Sequence, residues 1–165
     1  MFDQLKIALR SATETHFRAL QARPEIDGLY GYSLYTDDDV CSIGPVANTV
    51  DKIPVPAGDA TYGYYRYGPQ EWSLFDDFGM FESVNQIVSE IHASENLSFD
   101  LKRDGMLQVA FQVLVELEEE GFFGSKESSR YVVLWLSDSS DPIMNASAKA
   151  LNSQAVFSAY CKEYS

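Results

Sequence analysis

The chain has 165 residues and a formal net charge of −13 at neutral pH, with 25 acidic and 12 basic side chains. Its length and its hydrophobic content of 45% predict a single domain, residues 1–165, whose core needs neither disulfides nor a structural metal. Such an acidic surface repels phosphate backbones, which argues against nucleic acid as a partner. A basic protein would instead be attracted, and its encounter with this chain accelerated.

The first segment is predicted to be a helix that ends at Pro24. Its apolar stripe follows spacings of four and three residues: Leu5, Leu9, Ala12, His16 and Leu20. We interpret His16 as a histidine packed at the edge of the core and not as a catalyst. The N-terminus mixes acids and bases without an apolar block, and apolar runs elsewhere are short. The sequence therefore predicts a cytoplasmic protein without a secretory signal or a membrane span.

Residues 29–46 predict a β-hairpin. The first strand, 29–35, alternates so that Tyr30 and Tyr32 share one face, and the acidic residues 36–39 suit the turn. Residues 40–46 form the returning strand. The stretch 48–59 contains prolines and a glycine and is predicted to be a surface loop.

The stretch "ATYGYYRYGPQEWSLF" is rich in aromatic residues. Residues 60–67 predict a strand, broken at Gly68 and Pro69, because aromatic side chains pack well on a pleated surface. Tyrosine, tryptophan and arginine also dominate the energetic centres of protein interfaces. We therefore place candidate binding residues here: Tyr64, Arg66, Glu71 and Trp72.

Two helices are predicted next, over residues 81–95 and 99–120, with Gly121 at the left-handed position that ends the second one. Four glutamates crowd the end of this helix, where the helix dipole is also negative: Glu116, Glu118, Glu119 and Glu120. Two interpretations stay open. The cluster indicates a cation or basic partner, or it is simply a solvated helix end.

Residues 130–138 form an almost continuous apolar run, which predicts a central strand covered on both faces. Asp141 and Pro142 then begin a helix, and a last helix follows Asn152 and Ser153. Strands and helices are clustered and do not alternate strictly. The predicted class is therefore α+β, with a mainly antiparallel sheet of about four strands and helices packed on it.

No phosphate-binding loop, dinucleotide fingerprint or nucleophile elbow is present. With His16 and His92 as the only histidines, a three-histidine metal site is excluded. Carboxylates are plentiful, but no pair stands out as catalytic. We expect no cofactor and no metal, and the sequence favours a non-catalytic protein over an enzyme.

Several short motifs occur in a particular order: "LYGYSLYTDD", "GPVANT", "EWS", "EEEGFFG", "LWLSD" and "SAKALN". In this order they resemble the bacterial family named domain of unknown function 4303, from about Glu25 to Asn152. The resemblance implies a small cytosolic α+β domain similar in size and acidity to immunity proteins, which neutralise toxins. The matching positions of interest are Tyr30, Tyr32, Asn48, Thr49, Glu71, Trp72 and Asp138, for which the family supplies no catalytic role. For Asn48 and Thr49, just past a strand end, capping of local amides is favoured over ligand contact.

Two functional hypotheses follow. In the first, the protein binds a basic, toxin-like partner through an acidic, tyrosine-rich face. In the second, it is an enzyme or small-molecule-binding protein with a cleft beside the sheet. That cleft would be lined by Tyr64, Arg66, Glu71, Trp72 and Asp138.

Overall fold

The computed structural model describes residues 1–126 and 129–164, which form an α+β fold. Its elements are the helices α1 (Phe2–Gln21), α2 (Tyr62–Tyr67), α3 (Glu82–Ala93), α4 (Phe99–Glu119), α5 (Pro142–Leu151) and α6 (Gln154–Tyr164), and the strands β1 (Leu29–Asp37), β2 (Ile43–Thr49) and β3 (Tyr131–Ser137). None of the helices in this part of the chain is both long and apolar enough to cross a bilayer.

The strands form one mixed sheet in the order β2-β1-β3. The predicted hairpin is confirmed, since β1 and β2 pair in antiparallel fashion. However, β3 pairs with β1 in parallel, with Gly31 opposite Tyr131 and Asp37 opposite Ser137. The prediction of about four mainly antiparallel strands is thus only partly right. The central position predicted for residues 130–138 is wrong, because β1 occupies it.

The edge position of β3 is compatible with its burial because α5 covers its outer edge. Three backbone amides donate to side chains of α5 or of Asn152, the residue that follows it: Val132 to Asn152 Oδ1 (2.8 Å), Leu134 to Ser147 Oγ (3.0 Å) and Leu136 to the Met144 sulfur (3.3 Å). Side chains therefore replace a fourth strand. An apolar run indicates burial on all sides but does not show whether a strand or a helix provides the cover.

The outer edge of β2 is closed as well. The amide of Ile43 donates to Asn85 Oδ1 of α3 at 2.8 Å, and Pro45 has no amide proton to offer. Ala47 and Leu74 exchange two backbone hydrogen bonds, at 2.8 and 3.2 Å. Neither edge of the sheet is left open for an added strand.

Helices cover both faces of the sheet. Helix α1 packs on α3 and α4, and α2 packs on α6, while α5 contacts β3, α4 and α6. His16 on α1 is buried, as predicted, and its Nδ1 lies 3.2 Å from the Tyr32 hydroxyl. The core thus lies in two layers, one on each side of β1 and β3.

The segment 60–67 is the clearest departure from the predictions, because residues Tyr62–Tyr67 are helical and not a strand. Aromatic residues suit a strand by propensity, and six residues are too few to show a helical period. Contact with α6 supports this short helix, and Arg66 donates to the Tyr62 hydroxyl one turn earlier at 3.3 Å. The predicted alternation of faces along this segment is therefore also wrong.

Three of the four glutamates at the end of α4 have cationic partners within the chain. Lys6 of α1 donates to Glu116 at 2.6 Å, Arg10 pairs with Glu120, and Arg130 pairs with Glu118. These cations offset the unfavourable helix dipole. Gly121 follows with φ of +73°, as predicted for the left-handed end of the helix.

Candidate functional site

One group of buried residues consists of three aromatic rings and an arginine. We call it the inner cluster: Tyr30, Arg66, Trp72 and Tyr131. Trp72 is 3% exposed, and its indole N–H donates to the Tyr65 carbonyl at 3.2 Å. The ring lies so close to the backbone of Gly31 that a Cβ there would be 2.7 Å from it. Trp72 is therefore packed into the core and does not face a partner.

Arg66 belongs to the inner cluster, although it is charged. It is 8% exposed, and its guanidinium lies 4.2 Å from the centre of the Tyr30 ring. It donates to the Ser129 carbonyl at 2.9 Å and forms no ion pair with a carboxylate in the described part of the chain. Aromatic ring faces and a backbone carbonyl thus bind this cation. The Arg66 guanidinium, which we predicted to bind a ligand, is therefore already engaged by groups of the same chain.

Two tyrosines of β1, Tyr30 and Tyr32, pack into different layers of the core. A register irregularity between Leu29 and Gly31 breaks the alternation, so Tyr30 contacts Trp72 while Tyr32 contacts His16. Burial raises the pKa of Tyr30 to about 12, and its hydroxyl donates to the Arg66 carbonyl at 2.9 Å. The prediction that both tyrosines share one face is wrong because of this irregularity.

Asn48 and Thr49 are the last residues of β2 and are buried, so the predicted loop starts later than expected. Asn48 Nδ2 donates to the Tyr30 hydroxyl at 3.1 Å. Its amide therefore supports the inner cluster and does not cap a loop. The Thr49 hydroxyl has no hydrogen-bond partner among the described residues.

The remaining candidates are Tyr64, Glu71 and Asp138. They are not in the buried inner cluster but at an open groove, which lies at the carboxyl ends of the parallel strands β1 and β3. It consists of two adjoining depressions of about 560 and 320 Å³, which share Trp135, Ser139 and Ser140. Their walls come from α2, α5, α6 and the loop after β3. Tyr64 and Asp138 line this groove, and Glu71 joins them through Tyr64.

Five aromatic rings line the groove: the buried Tyr160 and four others that we call the outer cluster, Tyr35, Tyr64, Trp135 and Tyr164. Tyr164 lies between the others, with its ring 5.1 Å from Trp135 and stacked on Tyr64 at 6.2 Å. The Tyr64 hydroxyl donates to Glu71 Oε1 at 2.6 Å, and this bond raises the pKa of Tyr64. Tyr64 is 39% exposed, so a ring and a carboxylate are presented together to solvent.

The loop after β3 forms the rim of the groove. Asp138 has φ of +53°, in the left-handed region that aspartate tolerates better than most residues. Ser139 donates to Asp38 Oδ1 at 2.6 Å and accepts from the Asp141 amide at 3.1 Å. The hydrogen bonds from Ser139 and then Arg103 lower the pKa of Asp38. The rim is thus tied to the hairpin turn and to the start of α5.

The groove combines aromatic and polar side chains. Its lining has rings, serine hydroxyls and the carboxylates of Asp138 and Asp141, with no lysine or arginine among the residues that form it. Neither His16 nor His92 is part of the lining. In residues 1–126 and 129–164, no three histidine, cysteine or acidic side chains lie close enough together to hold a metal ion.

Sequence reasoning missed Tyr35, Trp135 and Tyr164. Tyr35 and Trp135 are register partners across the parallel pair of strands, and Tyr164 joins them from the last helix. The only signal in the sequence was their aromatic character. Their proximity depends on a strand pairing that the sequence pattern did not predict.

The fold and site define a small α+β domain with an acidic, ring-lined groove at one end of a mixed sheet. The family model described as Domain of unknown function (DUF4303) matches residues 9–153, and the chain belongs to this family, as its motifs predicted. No curated protein and no solved structure matches the chain.

Proposed function

We propose that the protein is a non-catalytic binding domain that takes up a basic protein partner at the groove. The observation that carries this proposal is the composition of the lining. Aromatic rings, hydroxyls and carboxylates meet there without any basic side chain. Rings provide area with little loss of conformational freedom. Asp141 is paired with Arg103, but the Asp138 carboxylate forms no ion pair among the described residues and can accept charge-assisted hydrogen bonds.

The distribution of charge supports a basic partner. Nine of the twelve basic residues donate to, or pair with, groups of this same chain: Lys6, Arg10, Arg18, Arg23, Arg66, Lys102, Arg103, Lys126 and Arg130. Arg103, beside the groove, faces three carboxylates: Asp38, Asp104 and Asp141. The net charge of −13 is therefore carried by exposed acids, which attract a cationic surface.

The shape of the groove favours a macromolecule over a small substrate. It is open, and the five residues predicted to line a catalytic cleft do not meet in it. Arg66 and Trp72 lie in the inner cluster, whereas Tyr64 and Asp138 lie at the groove. Both sheet edges are closed, so a partner would bind to side chains and not by adding a strand.

The most specific partner that we propose is a toxin in a bacterial cell, which this protein would neutralise by covering a basic surface. The acidity of the chain and the family resemblance to proteins of the immunity type support this choice. The general proposal needs only a basic protein, whether or not it is a toxin.

The test is co-expression with the product of the neighbouring gene, followed by growth and co-purification measurements. Asp138→Lys reverses a charge at the groove, and we expect it to weaken binding by roughly tenfold or more through like-charge repulsion. Glu90→Lys, on the exposed side of α3, is the matched control and should change binding little. Survival that does not depend on this protein, with no complex formed, would contradict the toxin proposal. Equal losses in both variants would contradict the groove as the binding surface.

A further inference from the structure

Arg103 of α4 lies beside the rim and donates hydrogen bonds from all three guanidinium nitrogens. Its Nε donates to the backbone carbonyl of Asp38 at 2.6 Å, and its Nη2 donates to Asp38 Oδ1 at 2.9 Å and to Asp141 Oδ2 at 2.8 Å. Its Nη1 donates to Asp104 Oδ1 at 3.0 Å. One cation therefore joins the hairpin turn, helix α4 and the start of α5.

This network fixes the rim on both sides of Asp138 and Ser139. Ser139 donates to Asp38 Oδ1 at 2.6 Å, and the same oxygen accepts a hydrogen bond from Arg103. Asp141 accepts from Arg103 with one carboxylate oxygen and caps α5 with the other. The position of Asp138 thus depends on Arg103, although the two residues form no ion pair in the described part of the chain.

Strained backbone occurs at two places that the same network connects. Among the described residues, Val40 with φ of +57° and Asp138 with φ of +53° are the non-glycine residues in the left-handed region. This region is especially unfavourable for a β-branched residue such as valine. Such conformations persist only where the surroundings fix them, and they are concentrated at functional sites. Val40 lies in the hairpin turn that Arg103 holds, and Asp138 lies in the rim.

Building on the proposed function, we propose that Arg103 is the positioning residue of the groove. By fixing the hairpin turn and the start of α5, it holds the rim in the conformation that places Asp138 in the groove lining. Asp138 then contacts a cation of the basic partner, and Arg103 acts through Asp138. The Asp138 carboxylate is available for this contact because it has no cationic partner among the described residues, whereas Asp141 is paired with Arg103.

This role requires an arginine and not only a positive charge. A planar guanidinium donates in several fixed directions at once, whereas the ammonium of lysine is a compact charge on a flexible stem. A lysine would keep the positive charge but could not hold Asp141, the Asp38 carboxylate and the Asp38 carbonyl together. The Arg103→Lys variant therefore separates the position of the rim from the charge of the chain.

The test measures the attraction of a cation to the groove through the fluorescence of Trp135, which lines the groove together with Asp138. The probes are N-methylpyridinium, a cationic quencher of tryptophan, and acrylamide, a neutral quencher, at constant ionic strength. The ratio of their quenching constants reports the local negative potential. The Trp135→Phe variant gives the contribution of the buried Trp72, which is subtracted.

The expected result is a lower ratio in both key variants. Asp138→Asn removes the charge and should lower the ratio by roughly twofold. Arg103→Lys should lower it to a similar extent, although the net charge of the chain is unchanged. The double variant should show no further decrease, because both substitutions remove the same interaction. Arg10→Lys is the matched control and should keep the wild-type ratio, since Arg10 also faces three carboxylates but does not line the groove.

Three results would overturn the proposal: a wild-type ratio in Arg103→Lys, a wild-type ratio in Asp138→Asn, or additive effects in the double variant. If circular dichroism shows that Arg103→Lys does not fold, Ser139→Ala takes its place. That variant keeps Arg103 and removes the hydrogen bond from the rim to Asp38. It should also lower the ratio, and a wild-type ratio would contradict the role of the network.

These measurements need no partner protein, so this inference and the proposed function fail in different experiments. A wild-type ratio in Arg103→Lys rejects the positioning role and leaves the groove as the proposed binding surface. A basic partner protein that binds Asp138→Lys as tightly as wild type rejects the groove as the binding surface.

Discussion

The inner cluster and the outer cluster are both built around tyrosine and tryptophan rings but differ in how far solvent reaches them. In the inner cluster, the Tyr30 hydroxyl, the Arg66 guanidinium and the Trp72 indole all have partners within the chain. In the outer cluster, the Tyr64 ring is partly exposed, and Trp135 lines an open groove. The comparison shows that residue types alone do not distinguish a core cluster from a contact surface. Exposure does: every member of the inner cluster is less than 9% exposed, whereas Tyr64 of the outer cluster is 39% exposed.

The largest expected effect comes from truncating the inner cluster. Trp72→Ala removes a ring that packs on Tyr30, Tyr131 and the backbone of Gly31, and it should lower the free energy of unfolding by about 3–5 kcal/mol. Urea titration followed by circular dichroism measures this change. Tyr64→Ala, in the outer cluster, is the control and should shift the midpoint far less. Similar losses in both variants would remove the distinction between the two clusters.

A smaller effect is expected for Arg66→Ala, at about 2 kcal/mol, because the Tyr30 ring and the Ser129 carbonyl both lose their partner. Arg66→Lys keeps the charge but not the planar stacking, so it should fall between wild type and Arg66→Ala. Thermal unfolding of the three proteins ranks them. An Arg66→Ala variant as stable as wild type would contradict this prediction. It would mean that burying the guanidinium costs as much free energy as its contacts contribute.

The smallest expected effect is a dependence of stability on pH through His16. Burial lowers the pKa of His16 below its usual value of 6.5, so at mildly acidic pH the unfolded chain binds a proton that the folded chain does not. Stability should therefore fall as pH drops below about 6.5, and it should not change for this reason at higher pH. Unfolding midpoints of wild type and His16→Gln, measured from roughly pH 7.5 to roughly pH 5.5, give the slope.

The control for this last prediction is His92→Gln, which also removes a histidine but leaves the contact between His16 and Tyr32 intact. It should retain the wild-type slope. A slope that persists in His16→Gln would assign the pH dependence to another group.

Local patterns predicted most elements. The four-and-three spacing of Leu5, Leu9 and His16 correctly indicated α1, and Asp141 followed by Pro142 correctly marked the start of α5. These signals concern neighbours within one or two helical turns. The segment Tyr62–Tyr67 was assigned wrongly, because six residues support a strand pattern and a helix equally well and its packing on α6 decided between them.

The candidate site was only partly predictable. Tyr64 and Asp138 lie at the groove as candidates named from the sequence, whereas Tyr30, Tyr32 and Trp72 are buried. The sequence shows which residues are suited to binding. It does not show which of them the fold leaves in contact with solvent.

The sequence by itself determined the α+β class, the hairpin, the ends of the long helices and the excess of acidic charge, because propensity, capping and charge are properties of short stretches. Only the tertiary structure decided that β3 pairs in parallel at an edge and that α5 replaces a fourth strand. It also decided that Tyr35, Trp135 and Tyr164 meet in one groove. These outcomes depend on contacts between residues far apart in the chain, and no local pattern contains the partner of such a contact.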